Sequence, residues 1–158
     1  MDALDRIDRR ILAELQRDAR LTVAQLAQRV SLSPSPCWRR VRQLEQDGYI
    51  EGYEARLSAA RLGHGITAFV SVVMGEHSQE VARAFEARLH DIPEIIACHN
   101  VSGRYDFLLE VVARDLAAYG EFARGTLQAL PGVKELHSSF SLKAVKSHRQ
   151  LPIPEAAG

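Results

Sequence analysis

The sequence predicts an α+β chain in two units: three helices over the first third, then a βαββαβ unit. Three observations carry this. Apolar residues recur at three- and four-residue steps up to about residue 47. Beyond Gly65 the pattern changes to β-branched runs bounded by glycines. Those runs alternate with two amphipathic helical stretches in the order strand, helix, strand, strand, helix, strand.

Composition sets the outer bounds. The chain has 158 residues, 46% hydrophobic and 25% charged, the balance of a globular protein of one domain or two small ones. Its longest apolar stretches, such as ITAFVSVVM at 66–74, fall far short of a bilayer span, and MDALDRIDRR has no apolar core of a signal peptide, so a cytoplasmic location is expected. Cys37 and Cys98 are distant and lack metal-ligand spacing, which signals neither a disulfide framework nor a metal site. The net charge of zero argues against indiscriminate coating of nucleic acid or membrane. Within that balance, Arg39, Arg40 and Arg42 form a basic island with no acid between Ser31 and Leu44.

In the first helix, residues 4–17, Leu4, Ile7, Ile11, Leu12 and Leu15 form one stripe, and Asp2 and Asp5 suit its N-terminal dipole. Thr22 and Gln25 have capping-box spacing for a second helix that buries Val23, Leu26, Ala27 and Val30. The stretch LSPSPCWRR follows. Pro36 drives Ser35 toward the extended geometry of a cap and suits the first helical position itself, so the third helix is expected to be capped by Ser35 and to stop at Gly48. At 100° per residue Cys37, Val41 and Leu44 face inward; Ser35, Arg39, Arg42 and Gln46 face outward, with Trp38 at the border and Arg40 near the core edge. GYIEGYEARL then reads as two short strands turning at Glu51-Gly52, a wing. A short helix, a tight turn and a second helix with a basic outer face form a winged helix-turn-helix, the arrangement that major-groove reading requires. The residues set toward DNA are Thr22, Ser33, Ser35, Pro36, Trp38, Arg39, Arg40 and Arg42.

The DNA-binding unit is placed at residues 1–56 and a linker at 57–65. ITAFVSVVM is the first strand of the second unit, 66–146, and SQEVARAFEARLHD a helix opened by Ser78. EIIACHNV and YDFLLEVVA are strands joined at SGRY, where Gly103 can take positive φ. Asp115 caps LAAYGEFARGTLQAL, and VKELHSSFSLKAVK closes a ferredoxin-like sandwich with both helices on one sheet face. Phe69 and Val73 oppose Val70 and Val72 across the sheet, so the open face is apolar and a homodimer by face stacking is expected. The tail, 147–158, reads as extended or disordered.

The blocks SPSPCWRRVRQLEQDGYIEGY and SGRYDF, in the same order and over about residues 4–146, resemble the leucine-responsive regulatory protein/AsnC family, the feast/famine regulators. The opening block is most similar to members that regulate amino-acid catabolism. The resemblance implies a C-terminal domain of the RAM/ACT-like kind that binds amino acids and builds dimers, commonly octamers. Effectors in such proteins sit between dimers, near the loop joining the second and third strands, here Asn100 to Asp106. The implied effector residues are Asn100, Gly103, Arg104, Tyr105 and Asp106, with Ser138 and Ser139 from the last strand. Asp106 either accepts the effector ammonium or orders the loop. Many relatives carry an acid where this chain has Arg104, which can bind an effector carboxylate or pair with an acid of a neighbouring subunit.

The expected function is a sequence-specific DNA-binding regulator of amino-acid metabolism that acts on double-stranded DNA, without cofactor or membrane partner. An enzyme is the rival class, on the idea that His99 and His137 face each other across strands, but no nucleophile elbow, phosphate loop or metal-ligand cluster is present in the sequence. An effector-independent architectural DNA-binding protein is the other alternative. An RNA reader is disfavoured because the second unit lacks the aromatic-basic strand motif that stacks bases.

Overall fold

A computed structural model describes residues 4–146 and 150–154. These fall into two compact units: residues 4–55 together with 146 and 150–154, and Arg56–Val145. Asp2 and the stretches 147–149 and 155–158 of the tail lie outside the described residues.

The first unit is built on α1 (Arg6–Arg17), α2 (Val23–Val30) and α3 (Pro34–Gln46). Asp5 caps α1, accepting from the Ile7 and Asp8 amides while Asp8 reaches back to the Asp5 N–H. Thr22 and Gln25 form the expected box on α2. Ile11, Leu26, Ala27, Val30, Cys37 and Leu44 make the buried core; Val23, expected inside, is exposed.

Two further expectations need correction here. The third helix starts two residues earlier: Ser33 is its N-cap and Pro34, not Pro36, takes the first position. Both prolines satisfy the rule that the first turn has no N–H to lose, and the earlier one wins because Ser31 takes the left-handed region (φ 59°) and completes the turn sooner. The helix ends as expected, with Gly48 at φ 76°. The second correction is the wing. Residues 50–56 form no strand pair. Two or three residues on either side of Glu51-Gly52 are too few for an isolated hairpin. The segment is held instead by backbone bonds from Tyr49 and Ile50 to the Leu44 carbonyl, and by the Tyr53 hydroxyl donating to Glu45 at 3.1 Å.

The second unit has β1 (Ile66–Met74), α4 (Gln79–Leu89), β2 (Ile95–Asn100), β3 (Phe107–Ala113), α5 (Leu116–Gly125) and β4 (Val133–Phe140). The sheet is antiparallel in the order β2-β3-β1-β4, the ferredoxin-like arrangement. Ser78 and Asp115 cap α4 and α5 as expected. β4 stops at Phe140 rather than running to 146, and the expected linker contains a short 3-10 turn at Ala60–Leu62.

Strand alternation sorts the sheet faces. Ala68, Val70, Val72 and Met74 of β1, with Phe107, Leu109 and Val111 of β3, are buried together with Phe85 of α4 and Tyr119 of α5. Phe85 and Phe107 rings meet at 4.6 Å. Phe69, by contrast, is 40% exposed in the single chain. It shares its face with Ser71, Leu108, His137 and Ser139 through the strand register.

Candidate functional site

In the DNA-facing unit, packing separates the three arginines. Arg40 leaves the exposed row: its guanidinium lies 2.6 Å from Asp5 and 2.8 Å from Asp8, so it ties α3 to the start of α1. Hydrogen bonds to Asp8 and then Asp5 hold its charge, raising its already high pKa. Of the eight residues expected at the DNA, Arg40 is thus the one whose Nη1 is engaged by two carboxylates of α1, with its side chain 32% exposed. Arg29 of α2 is likewise occupied, 2.9 Å from Glu14 of α1. Hydrogen bonding from Arg29 is the main cause that draws the Glu14 carboxyl below its ordinary range.

Arg39 and Arg42 remain exposed on the outer face of α3. Arg42 reaches Glu45 at 3.2 Å and stands 5.9 Å from the Trp38 ring centre. Trp38 is 54% exposed and belongs to neither core nor solvent alone. It borders a hollow of about 760 Å³ whose lining includes Val23, Pro34, Ser35, Pro36 and Arg39, at the N-terminal end of α3. Ser33, Ser35 and Thr22 are exposed, although the Thr22 hydroxyl is engaged with Gln25. Only the leading turns of a groove-inserted helix reach base edges. Ser33, Ser35, Trp38 and Arg39 occupy those turns. Cys37, two residues from Ser35, points the other way: burial pushes its thiol pKa up.

In the second unit the loop between β2 and β3 is closed from within. Val101 N–H donates to the Asp106 carbonyl at 3.0 Å, as does the Asn100 side-chain amide. Gly103 has φ 118°, which a side chain rarely tolerates. The Asp106 carboxylate faces β1: one oxygen accepts the Met74 N–H at 2.8 Å, the other lies 3.1 Å from His77. These two contacts tie the end of the loop to β1 and to His77. Arg104 is exposed and stands 5.5 Å from the Tyr105 ring, which in turn packs against His137 of β4 at 5.3 Å.

The two serines of β4 part company. Ser138 pairs in register with Val70 and bonds the Tyr119 hydroxyl of α5, so it serves the helix-covered face. Ser139 pairs with Phe69 on the open face. Among the described residues, the β4 side chain that meets the loop is His137, a contact the sequence did not disclose because it depends on strand register. His77 was missed for the same reason. His99 and His137 do not face each other, since β2 and β4 are the opposite edges of the sheet. Among the described residues no group of His, Cys, Asp and Glu side chains could hold a metal ion. No helix is long and apolar enough to cross a membrane.

Two family models match the chain. Residues 4–51 match the winged helix-turn-helix DNA-binding family and residues 67–151 the Lrp/AsnC ligand binding domain. The chain is 43% identical to the Bkd operon transcriptional regulator of Pseudomonas aeruginosa, over 97% of this chain and 100% of that protein. It is 40% identical to the leucine-responsive regulatory protein of Escherichia coli K12, over 95% of this chain and 92% of that one. Among solved structures, a transcriptional regulator from Neisseria meningitidis in complex with L-methionine superposes with a TM-score of 0.91 at 38% identity, covering 95% of this chain and 97% of that one. A feast or famine regulatory protein from Mycobacterium tuberculosis complexed with L-methionine gives 0.85 at 32%, covering 94% of this chain and 99% of the other.

Proposed function

Because the chain belongs to the Lrp/AsnC family of transcriptional regulators, we propose that it controls genes of amino-acid metabolism in the cytoplasm, with its DNA affinity set by a bound amino acid. The observation that carries the DNA half is the split among the arginines. Arg40 is tied to α1, while Arg39 and Arg42 stay on the outer face of a helix whose first turn is presented by Ser33 and Pro34. Arg39 and the exposed serines read or grip the major groove, and Arg42 supplies phosphate charge further along the helix.

A dimer forms by stacking the open sheet faces around Phe69, and dimers associate further into octamers. Two recognition helices then address half-sites about one DNA turn, roughly 34 Å, apart or a multiple of it. The loop at 101–106 offers backbone donors around Gly103 and the Arg104 guanidinium to an amino-acid carboxylate. Asp106 positions the loop rather than binding the ammonium. An amino acid held there changes how dimers are arranged, and so which operators are occupied together. No cofactor is required, and no reaction is catalysed.

The test has two arms. Selection from random DNA should enrich a pseudo-palindrome, and Arg39→Ala should weaken its binding by roughly 1–3 kcal/mol if it reads a base; no enrichment overturns the DNA reading. In a thermal-shift screen of the twenty amino acids, at least one should raise the melting temperature. The relatives solved with L-methionine make that ligand the first to try. If none of the twenty stabilises the protein, the effector reading falls.

A further inference from the structure

Residues 150–154, QLPIP, return to the DNA-binding unit after the sheet has ended at Phe140. Their contacts there are specific. The Gln16 side-chain amide, at the end of α1, pairs with both backbone groups of Leu151: its Nε2 donates to the Leu151 carbonyl at 3.1 Å, and its Oε1 accepts the Leu151 N–H at 2.7 Å. Gln150 answers by donating its side-chain amide to the Gln16 carbonyl at 3.3 Å. That carbonyl is in the last turn of α1, where helix carbonyls lack intrahelical partners, so Gln150 acts as a C-terminal cap delivered from 134 residues away.

Beside this polar clasp runs an apolar groove of about 570 Å³, whose walls include Leu12, Leu15, Ala19, Ile50 and Tyr53. Leu151, Pro152, Ile153 and Pro154 form its other wall; Ile153 is half-buried there, while Leu151 is 75% exposed and is held through its backbone. The two prolines make sense in this setting. Each biases the residue before it, Leu151 or Ile153, to extended geometry, so the segment is already stiffened into the shape the groove takes and little chain entropy is lost on docking.

We infer that residues 150–154 are a strap built to dock on α1 of the same chain, giving the DNA-binding unit a second covalent connection to the sheet unit. The first connection is the segment at 56–65; the second leaves from β4. β4 carries Ser139 on the open face and His137 against the loop joining β2 and β3, so the strap follows in sequence the strand that borders that loop. This consequence rests on the family reading above, whereas the docking itself does not.

Docking is tested in the full chain. With Cys introduced as Ala19→Cys and Pro152→Cys in a Cys98→Ser background, which leaves only the buried Cys37 as a native thiol, a short bis-maleimide should cross-link most molecules internally, and either single variant should not. Absence of the internal cross-link, or cross-linking only between copies, overturns a strap in cis. By hydrogen exchange the Leu151 amide should be protected in the parent chain and exchange roughly tenfold or more faster in Gln16→Ala; equal exchange in both overturns the clasp. A chain ended after Arg149 should bind L-methionine like the full chain but lose the effect of L-methionine on DNA affinity. If that effect persists undiminished, the second connection carries no signal. If neither chain binds L-methionine, the choice of effector is wrong while the cross-link still decides the strap.

Discussion

Arg40 lies 2.8 Å from Asp8, and this pair, extended by Asp5 at 2.6 Å, fixes the basic helix α3 against the start of α1. The side chains are 32% and 19% exposed, so the pair is partly screened and contributes about 1 kcal/mol. Arg40→Ala should therefore lower stability in urea by about that amount, and leave the salt dependence of DNA binding unchanged. Arg42→Ala should do the reverse, flattening the salt slope by roughly one counterion with little effect on stability. An Arg40→Ala variant of full stability and weakened DNA binding would return Arg40 to the interface.

The same cluster predicts an acid response. Burial works to raise the Asp5 pKa, but the Asp8 backbone N–H and Arg40 outweigh it and leave the group below its ordinary value near 3.8. A lowered folded-state pKa means that the stabilisation is complete above the unfolded value and is lost as pH falls through the folded one. Between pH 7 and 5 the cluster should be indifferent to pH. Below about 4 the parent should lose stability faster than Asp5→Asn, which lacks the Asp5 carboxyl. Urea denaturation at pH 7, 5 and 3.5 on both proteins measures this; parallel losses would remove Asp5 from the acid response.

Gly132 precedes β4 with φ 71°, and a Cβ there would stand 2.2 Å from Val81 Cγ1 and 2.8 Å from Met74 Cε. Positive φ and overpacking act together, so Gly132→Ala should destabilise the sheet unit by about 2–4 kcal/mol. Gly103→Ala meets nothing within 4 Å and carries only the backbone strain of φ 118°, so it should cost less, about 1–2 kcal/mol. Equal melting temperatures for the two variants would contradict this ranking.

What could be read in the sequence was whatever local chemistry decides. The Thr22–Gln25 box, the Ser78 and Asp115 caps and the β1 limits Ile66–Met74 all follow from residues within one turn or one strand. The start of α3 did not follow, because Pro34 and Pro36 satisfy the same local rule and the left-handed Ser31 decides between them. Arg40 and Arg39 are neighbours with identical side chains, and only the packing of α1 separates their roles. In the loop between β2 and β3, Gly103 announces itself by type. His77 and His137 become neighbours of that loop only through the β1–β3 and β1–β4 registers. The tail gave its stiffness away through two prolines, but its partner, Gln16, lies at the other end of the chain.

Asp106 extends the β1–β3 ladder past its last residue pair, Val72 and Phe107. Its own N–H donates to the Val72 carbonyl at 2.9 Å, and its carboxylate takes the Met74 N–H that no further β3 residue can reach. Met74 is 5% exposed, so without this acceptor its N–H is left without a partner in a largely buried strand. Asp106→Ala should therefore cost about 1–3 kcal/mol in urea and speed exchange at the Met74 amide. Asp106→Asn keeps a side-chain oxygen in the same place while removing the charge, and should retain most of the stability. That contrast separates the two roles of the residue. If the carboxylate orders the loop, calorimetry with L-methionine should find the Asn variant close to the parent and the Ala variant weakened through disorder of residues 101–106. If it neutralises the effector ammonium, both variants should lose affinity together, because the charge is gone from each.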